Sequence, residues 1–338
     1  MITTKTVGTV SKTLAALEQA LADGGTCSLD PRVPDAVWRA ALVGPAHEFL
    51  SRPGKQLRSA MVRIGWILAG RGDPQVIERL GLVVELLHAG SLVIDDVEDG
   101  ALERRGAPAL HQLVGVPLAI NTGSWMYFWA LAEIANLGIP PADELAIHRA
   151  ANAMLVRCHQ GQALDLASRV WDLALGDVAA VAEATTRLKT GALCAFATSL
   201  AVLAAGVPRE VSLATQRLGV AIGTALQMLD DLGSLTDARR EKGREDLRHG
   251  RVTWPWAWLV EQQPYAWSRL VAQARSAQTD AELDRVADAL AAEVTALGRT
   301  RIRSLIDDAL ADLAGRAGDG PAFATVGALL SRMENSYG

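Results

Sequence analysis

The chain has 338 residues, half of them hydrophobic, with a formal net charge of -5 and a pI near 5.7. An acidic balance of this kind gives no reason to expect a nucleic-acid partner. Three cysteines, Cys27, Cys158 and Cys194, have neither CxxC spacing nor an even count, which argues against a disulfide or zinc framework and leaves them as packing residues.

No Gly/Ser-rich or Pro-rich stretch divides the chain, so a single domain over 1–338 is expected, all-α because apolar residues recur at spacings of three and four. The opening residues, MITTKTVGTVSKT, lack the apolar core of a secretory signal, which points to the cytoplasm. Residues 7–23 read as an amphipathic helix closed by Gly24 and Gly25, and residues 1–33 as an N-terminal helix and loop. A second helix runs to about Leu50, where Pro53 and Gly54 break it. In GKQLRS, Lys55 and Arg58 share a face at a helix start, whose dipole adds attraction for an anion.

The next helix, about Pro74 to Asp99, ends in a burst of charge: ELLHAGSLVIDDVEDGALERRGAP. Asp95 and Asp99 are one turn apart and point the same way, whereas Asp96 points elsewhere. Two carboxylates that close need a neutralising partner. Oxygen-only ligation without nearby cysteine suits magnesium, a hard cation that keeps its waters and accepts a diphosphate. Arg104 and Arg105 supply forked donors suited to phosphate. His88 lies two turns before Asp95 on roughly the same face, and Gly90 and Ser91 are expected to leave space in the wall behind the acidic cluster.

Residues 117–137 form a helix with an aromatic stripe, Trp125 to Trp129, read as core. In the long helix from Asp143 to Val170, Gln162 and Asp165 are polar intrusions that need partners. Residues 178–206 hold Lys189 and Thr190 inside an apolar helix, costly unless they face something polar. Its apolar run 191–206 falls short of the ~20 residues of a membrane span and reads as a core helix. A further apolar helix reaches Asp230 and Asp231, with Gln227 one turn before Asp231 and Ser234 four residues after Asp230. Alone, DDVED is equally a solvated helix end. A second acidic pair that also ends an apolar helix, and is also trailed by basic residues, favours a site. Beyond it, EKGREDLRHGRVTWP reads as a charged loop, a flexible lid over anions through Lys242, Arg244, Arg248 and Arg251. The remainder reads as packing helices without chemistry.

GKQLR, ELLHAGSLVIDDVEDGALERRGAP, GQALDL, RLKTGAL, LQMLDD and KGREDLRHGRVTWP, in this order, resemble the motif set of the trans-isoprenyl diphosphate synthases, the polyprenyl synthetase family, over about residues 50–256. The resemblance implies a helical bundle around a deep central cavity with the two acidic clusters across its mouth, and a homodimer. Asp95 and Asp99 would bind two magnesium ions and Asp230 a third. Arg104, Lys189 and Lys242 would hold an allylic diphosphate, with Arg251 in place of the loop's second lysine. Lys55, Arg58, His88 and Arg105 would hold isopentenyl diphosphate, and Thr190 and Gln227 would place oxygens near the allylic carbon.

Four positions depart from the family pattern: Ser234 replaces a third aspartate, Gly123-Ser124 a glycine-aspartate pair, Leu226 a phenylalanine and Arg251 a lysine. Ser234 is expected to weaken magnesium affinity with the reaction retained. The implied reaction is condensation of the two diphosphates to a longer trans-prenyl diphosphate. Gly90 is too small to stop the chain, so a twenty-carbon product is expected, with Trp125, Tyr127 or Trp129 as the block. The alternatives are a class I terpene cyclase or a prenyltransferase with another acceptor, favoured by Ser234 and the extra tryptophans, and a non-catalytic subunit of a heteromeric synthase. Intact Lys55, Arg58, His88 and Arg105 favour elongation.

Overall fold

Three- and four-residue apolar spacing becomes helix almost throughout the computed structural model, which describes residues 13–21, 27–54, 57–317 and 327–328. Among these, the only strands are two of two residues each. The expected helix 7–23 is described over 13–21, and Lys55 lies outside the described residues. The chain forms two units, residues 1–63 with 72–148 and residues 64–71 with 149–338.

The first unit begins with helical turns over Asp35–Trp38 and Gly44–Leu50, joined by a π turn over Arg39–Val43. Helix α1 (Leu57–Ala69) starts in this unit. Helix α2 (Pro74–Glu98) starts as its sequence dictates, because Asp73 accepts the Gln75 N–H at 2.8 Å and Pro74 takes the first turn, where no N–H is needed. After it, β1 (Glu103–Arg104) pairs antiparallel with β2 (Ala107–Pro108). Helix α3 (Val116–Ala135) lies along α2, and helix α4 (Pro141–Ala167) begins in this unit.

The closeness of α2 and α3 rests on two glycines. A Cβ on Gly90 would sit 2.6 Å from the Gly123 carbonyl oxygen and 3.2 Å from the Tyr127 ring. The space expected behind the acidic cluster is therefore filled by the neighbouring helix, and Ser91 turns its hydroxyl onto the His88 carbonyl at 2.8 Å. Leu80, Leu86, Leu87, Met126, Trp129 and Ile134 are fully buried, each side chain contributing roughly 1.5–3 kcal/mol on leaving water. Trp125 stacks on Trp129 at 5.2 Å, and the Trp129 indole N–H donates to Glu133 at 3.1 Å; Trp129 is core as expected, whereas Trp125 is half-buried and Phe128 exposed.

In the second unit, helix α5 (Val178–Thr186) passes through a π turn at Arg187–Gly191 into α6 (Ala192–Ala204). By length and composition the stretch Leu175–Ala204 would suffice to cross a membrane, yet 67% of its most apolar window is buried in the protein. It is a core element, packed against α7 (Arg209–Ser234), where Gly219 and Gly223 let the backbones approach. The helices α8 (Arg240–Arg248), α9 (Trp254–Gln262), α10 (Pro264–Ser276) and α11 (Asp280–Ala317) complete it. Trp256, Trp258, Leu259, Leu290 and Val294 form the core beneath α7.

The segment expected to be a loop is largely helix. Arg240, Arg244 and Arg248 recur every four residues on α8 and meet Asp288, Asp284 and Asp280 of α11 at 2.6, 2.6 and 2.8 Å. Each exposed pair is individually weak, but the row places α8 along α11, and the expected loop is corrected to a helix. Arg244 and Arg248 are committed to that row.

Candidate functional site

In the first unit, the expected basic residues gather around a strained hairpin. The β1–β2 connection has only Arg105 and Gly106 at its tip, and both adopt positive φ, 56° and 78°, as a two-residue turn of this hand requires. A left-handed non-glycine residue costs about 1–2 kcal/mol, so the arginine is retained against its backbone preference. Its guanidinium lies over the Phe49 ring at 5.6 Å and against Gly54, where a Cβ would come within 3.3 Å of it. Arg52, also over Phe49, anchors the hairpin through the carbonyls of Arg104 at 3.0 Å and Pro108 at 2.7 Å.

Beside this hairpin sit Arg58 and His88. The Arg58 Nε is buried and meets no hydrogen-bond acceptor. Burial, then the cations Arg58, Arg105 and Arg104, hold the His88 imidazole well below its usual pKa, so it is neutral and able to donate one N–H. Burial also lowers the Arg105 guanidinium, with Glu85 opposing and Arg58 adding to the fall. Glu85 itself accepts from the Ser59 hydroxyl at 2.9 Å. Arg58 and Arg105 crowd together with an unmet donor, an arrangement complementary to a multiply charged anion.

Two turns beyond His88 along α2 lie the carboxylates. Asp95 and the helix-ending Asp99 are joined by the Asp99 N–H to Asp95 carbonyl bond at 2.9 Å, and both are partly exposed. Asp96, expected to point elsewhere, is fully buried, and the Arg104 Nε donates to its Oδ1 at 2.6 Å. Arg104 also reaches Asp95 at 3.5 Å. Burial raises the Asp96 carboxyl despite Arg104, while the carboxylates overcome the burial of Arg104 and raise its pKa. Among the described residues, no three His, Cys, Asp or Glu side chains converge on one point. The all-oxygen Asp95/Asp99 pair therefore fits a hard cation that completes its shell with water or substrate oxygens, not a closed cage.

In the second unit, the π turn at Arg187–Gly191 aims Lys189 and Thr190. Gly161 of α4 makes room for it, since a Cβ there would lie 2.4 Å from the Lys189 backbone nitrogen. Lys189 Nζ donates to Asp165 at 2.8 Å, and Arg251 donates to the Asp165 carbonyl oxygen and approaches its carboxylate at 3.7 Å. Asp165 is thus the partner that its apolar surroundings demanded. Thr190 donates to the Gln227 amide oxygen at 3.0 Å, and the Gln227 NH2 donates to Asp231 at 2.8 Å. The Trp254 backbone N–H donates to the other Asp231 oxygen at 3.0 Å, and its indole N–H to Thr186 at 2.9 Å. Trp254 belongs to the stretch expected to carry no chemistry.

Asp230 accepts from Arg239 and Lys242. Burial would raise its carboxyl, but Lys242 and Arg239 outweigh that and hold it below the usual range. Burial raises Asp231 to about 6 and Asp246 to about 7, each opposed by Lys242. Ser234 is buried, and its hydroxyl donates back to the Asp231 carbonyl at 2.7 Å. Sequence reasoning missed Arg239: no motif marks it, and only the turn after α7 brings it to Asp230.

The model of the family described as polyprenyl synthetase matches residues 39–292. Geranylgeranyl pyrophosphate synthase 2 of Zymoseptoria tritici is 32% identical over 228 residues, 66% of this chain and 65% of the relative's own length. Among solved structures, a decaprenyl diphosphate synthase from Rhodobacter capsulatus superposes with a TM-score of 0.78 at 20% identity, over 98% of this chain and 97% of the other. A geranylgeranyl pyrophosphate synthase from Corynebacterium glutamicum, complexed with isoprenyl diphosphate and magnesium, gives 0.76 at 23% identity over 97% and 96%.

Proposed function

Because the chain belongs to the polyprenyl synthetase family, we propose that it condenses an allylic diphosphate with isopentenyl diphosphate to give a longer trans-prenyl diphosphate and free diphosphate. The observation that carries this reading is the first unit's basic group: Arg58 with an unmet buried donor, a neutral His88, and Arg105 held in a strained turn. A cyclase has no second diphosphate to bind and no use for that strain, so these residues favour elongation over the cyclase and other-acceptor alternatives. Arg58, His88, Arg105 and Lys55 bind the isopentenyl diphosphate. A single family match that takes in residues of both units supports reading 1–338 as one domain.

Magnesium fits Asp95 and Asp99, where it would neutralise charge on the leaving diphosphate. Arg104, Lys189, Lys242 and Arg251 orient the allylic diphosphate. The hydrogen-bonded Thr190 and Gln227 set oxygen dipoles toward the carbon that becomes positive when the C–O bond breaks. The isopentenyl double bond attacks that carbon, and a proton then leaves for the departed diphosphate.

A twenty-carbon product is supported by the geranylgeranyl synthases among the relatives. The Tyr127 ring lies where a larger residue at Gly90 would project, which favours it as the block over the stacked Trp125 and Trp129. The exposed Val116, Ile120 and Phe128 of α3 support a homodimer. The test is incubation of the protein with magnesium, isopentenyl diphosphate and each allylic primer, with products resolved by mass. A C20 diphosphate is expected; a hydrocarbon or alcohol formed without isopentenyl diphosphate would replace this reading with the cyclase.

A further inference from the structure

The resemblance assigns Asp230 a magnesium ion, but the charges around it are arranged otherwise. Asp230 Oδ1 accepts from Arg239 Nη2 and Oδ2 from Lys242 Nζ, so both oxygens face cations. Both Asp231 oxygens are also engaged, by Gln227 and the Trp254 backbone, and that carboxylate is 4% exposed. Ser234 cannot join them, since it is 3% exposed with its hydroxyl on the Asp231 carbonyl. Gly243 packs so tightly over it that a Cβ there would lie 2.2 Å from the Ser234 backbone carbonyl oxygen.

The local balance decides what such a site holds. Asp230 touches two cations, Arg239 and Lys242, so the charge of its carboxylate is already met without a metal ion. A divalent ion brought to Asp230 would be repelled by both of the cations that already face its oxygens. One carboxylate offers no more than one such attraction in return. A diphosphate meets the opposite situation, with an arginine fork and an ammonium, both still partly exposed, gathered on one carboxylate.

Building on the proposed function, we propose that the second acidic motif of this chain holds no metal ion of its own. Arg239 and Lys242, oriented by Asp230, bind the allylic diphosphate directly, and magnesium is confined to Asp95 and Asp99. Asp230 is then a positioning residue, and Arg239 a substrate-binding one.

The test counts bound Mn2+ on the full chain at saturating inorganic diphosphate, by equilibrium dialysis with EPR readout, beside the affinity for inorganic diphosphate at saturating Mn2+. Asp230→Asn is expected to bind as many ions as the unmodified chain, and Asp95→Asn fewer. Arg239→Gln is expected to weaken diphosphate binding by about tenfold, the loss of one charged hydrogen bond, and Arg239→Lys to recover part of it. Loss of one ion in a folded Asp230→Asn, or unchanged diphosphate affinity in Arg239→Gln, overturns the inference. An undiminished ion count in Asp95→Asn would instead strike the first-motif reading, and the Arg239 arm would still decide this one.

Discussion

Replacing Arg104 by alanine separates its structural role from its proposed one. Asp96 is fully buried, its Oδ2 has no hydrogen-bond partner, and its Oδ1 accepts from the Arg104 Nε at 2.6 Å. Removal of the guanidinium leaves a buried carboxylate opposed only by more distant groups, which costs about 3–5 kcal/mol at neutral pH. With an m-value near 3 kcal/mol per molar, the urea midpoint should fall by roughly 1–1.7 M. The cost is tied to the ionised form. An acid whose pKa is raised by folding destabilises only above its unfolded value near 3.9, so the loss in Arg104→Ala must shrink as the pH is lowered toward that value. The double variant Asp96→Asn/Arg104→Ala should regain most of the midpoint and lose the pH dependence, while prenyl transfer stays impaired in both. Urea unfolding of the four members of the cycle at pH 7.5 and pH 5 makes the comparison. A midpoint for Arg104→Ala within experimental error of the unmodified chain, or no recovery in the double variant, would refute the assignment of Arg104 as the counterion of Asp96.

Three further outcomes are expected. Gly161→Ala places a methyl 2.4 Å from the Lys189 nitrogen, so it should cost about 1–3 kcal/mol of stability and lower kcat, as measured by thermal unfolding and steady-state turnover; unaltered kcat would show that the π turn is not what aims Lys189 and Thr190. Arg105→Gly relieves about 1–2 kcal/mol of backbone strain but gives up the Phe49 contact, worth roughly 0.5–1 kcal/mol. Stability should therefore change little while KM for isopentenyl diphosphate rises at least about tenfold. Asp246, pushed up to about 7 by burial, and then by Asp231 and Asp165 against Lys242, contributes stability that is fully present below its unfolded value near 3.9 and is lost as the pH rises from there to 7. Asp246→Asn should accordingly flatten the fall in melting temperature over the upper part of that range, about pH 5 to 7, and an unchanged slope would count against that burial.

The difference between the readable and the unreadable parts of this protein follows from the range of the forces involved. Helical periodicity, the proline and Asp73 start of α2, and the one-turn spacing of Asp95 and Asp99 are properties of neighbouring residues, and the chain alone determined them. The arginine row of α8 was written in the sequence too, yet it reads as a loop until α11 supplies Asp280, Asp284 and Asp288, because an exposed charged segment has no apolar stripe to declare it a helix. The closing of Gly90 on Gly123 cancelled the expected void, since whether a missing side chain leaves space or admits another backbone depends on what packs there. Likewise the pairing of Asp96 with Arg104 and of Asp230 with Arg239 was decided only by tertiary structure. Which cation a buried carboxylate meets is set by three-dimensional distance and desolvation, and neither has a signature in linear spacing.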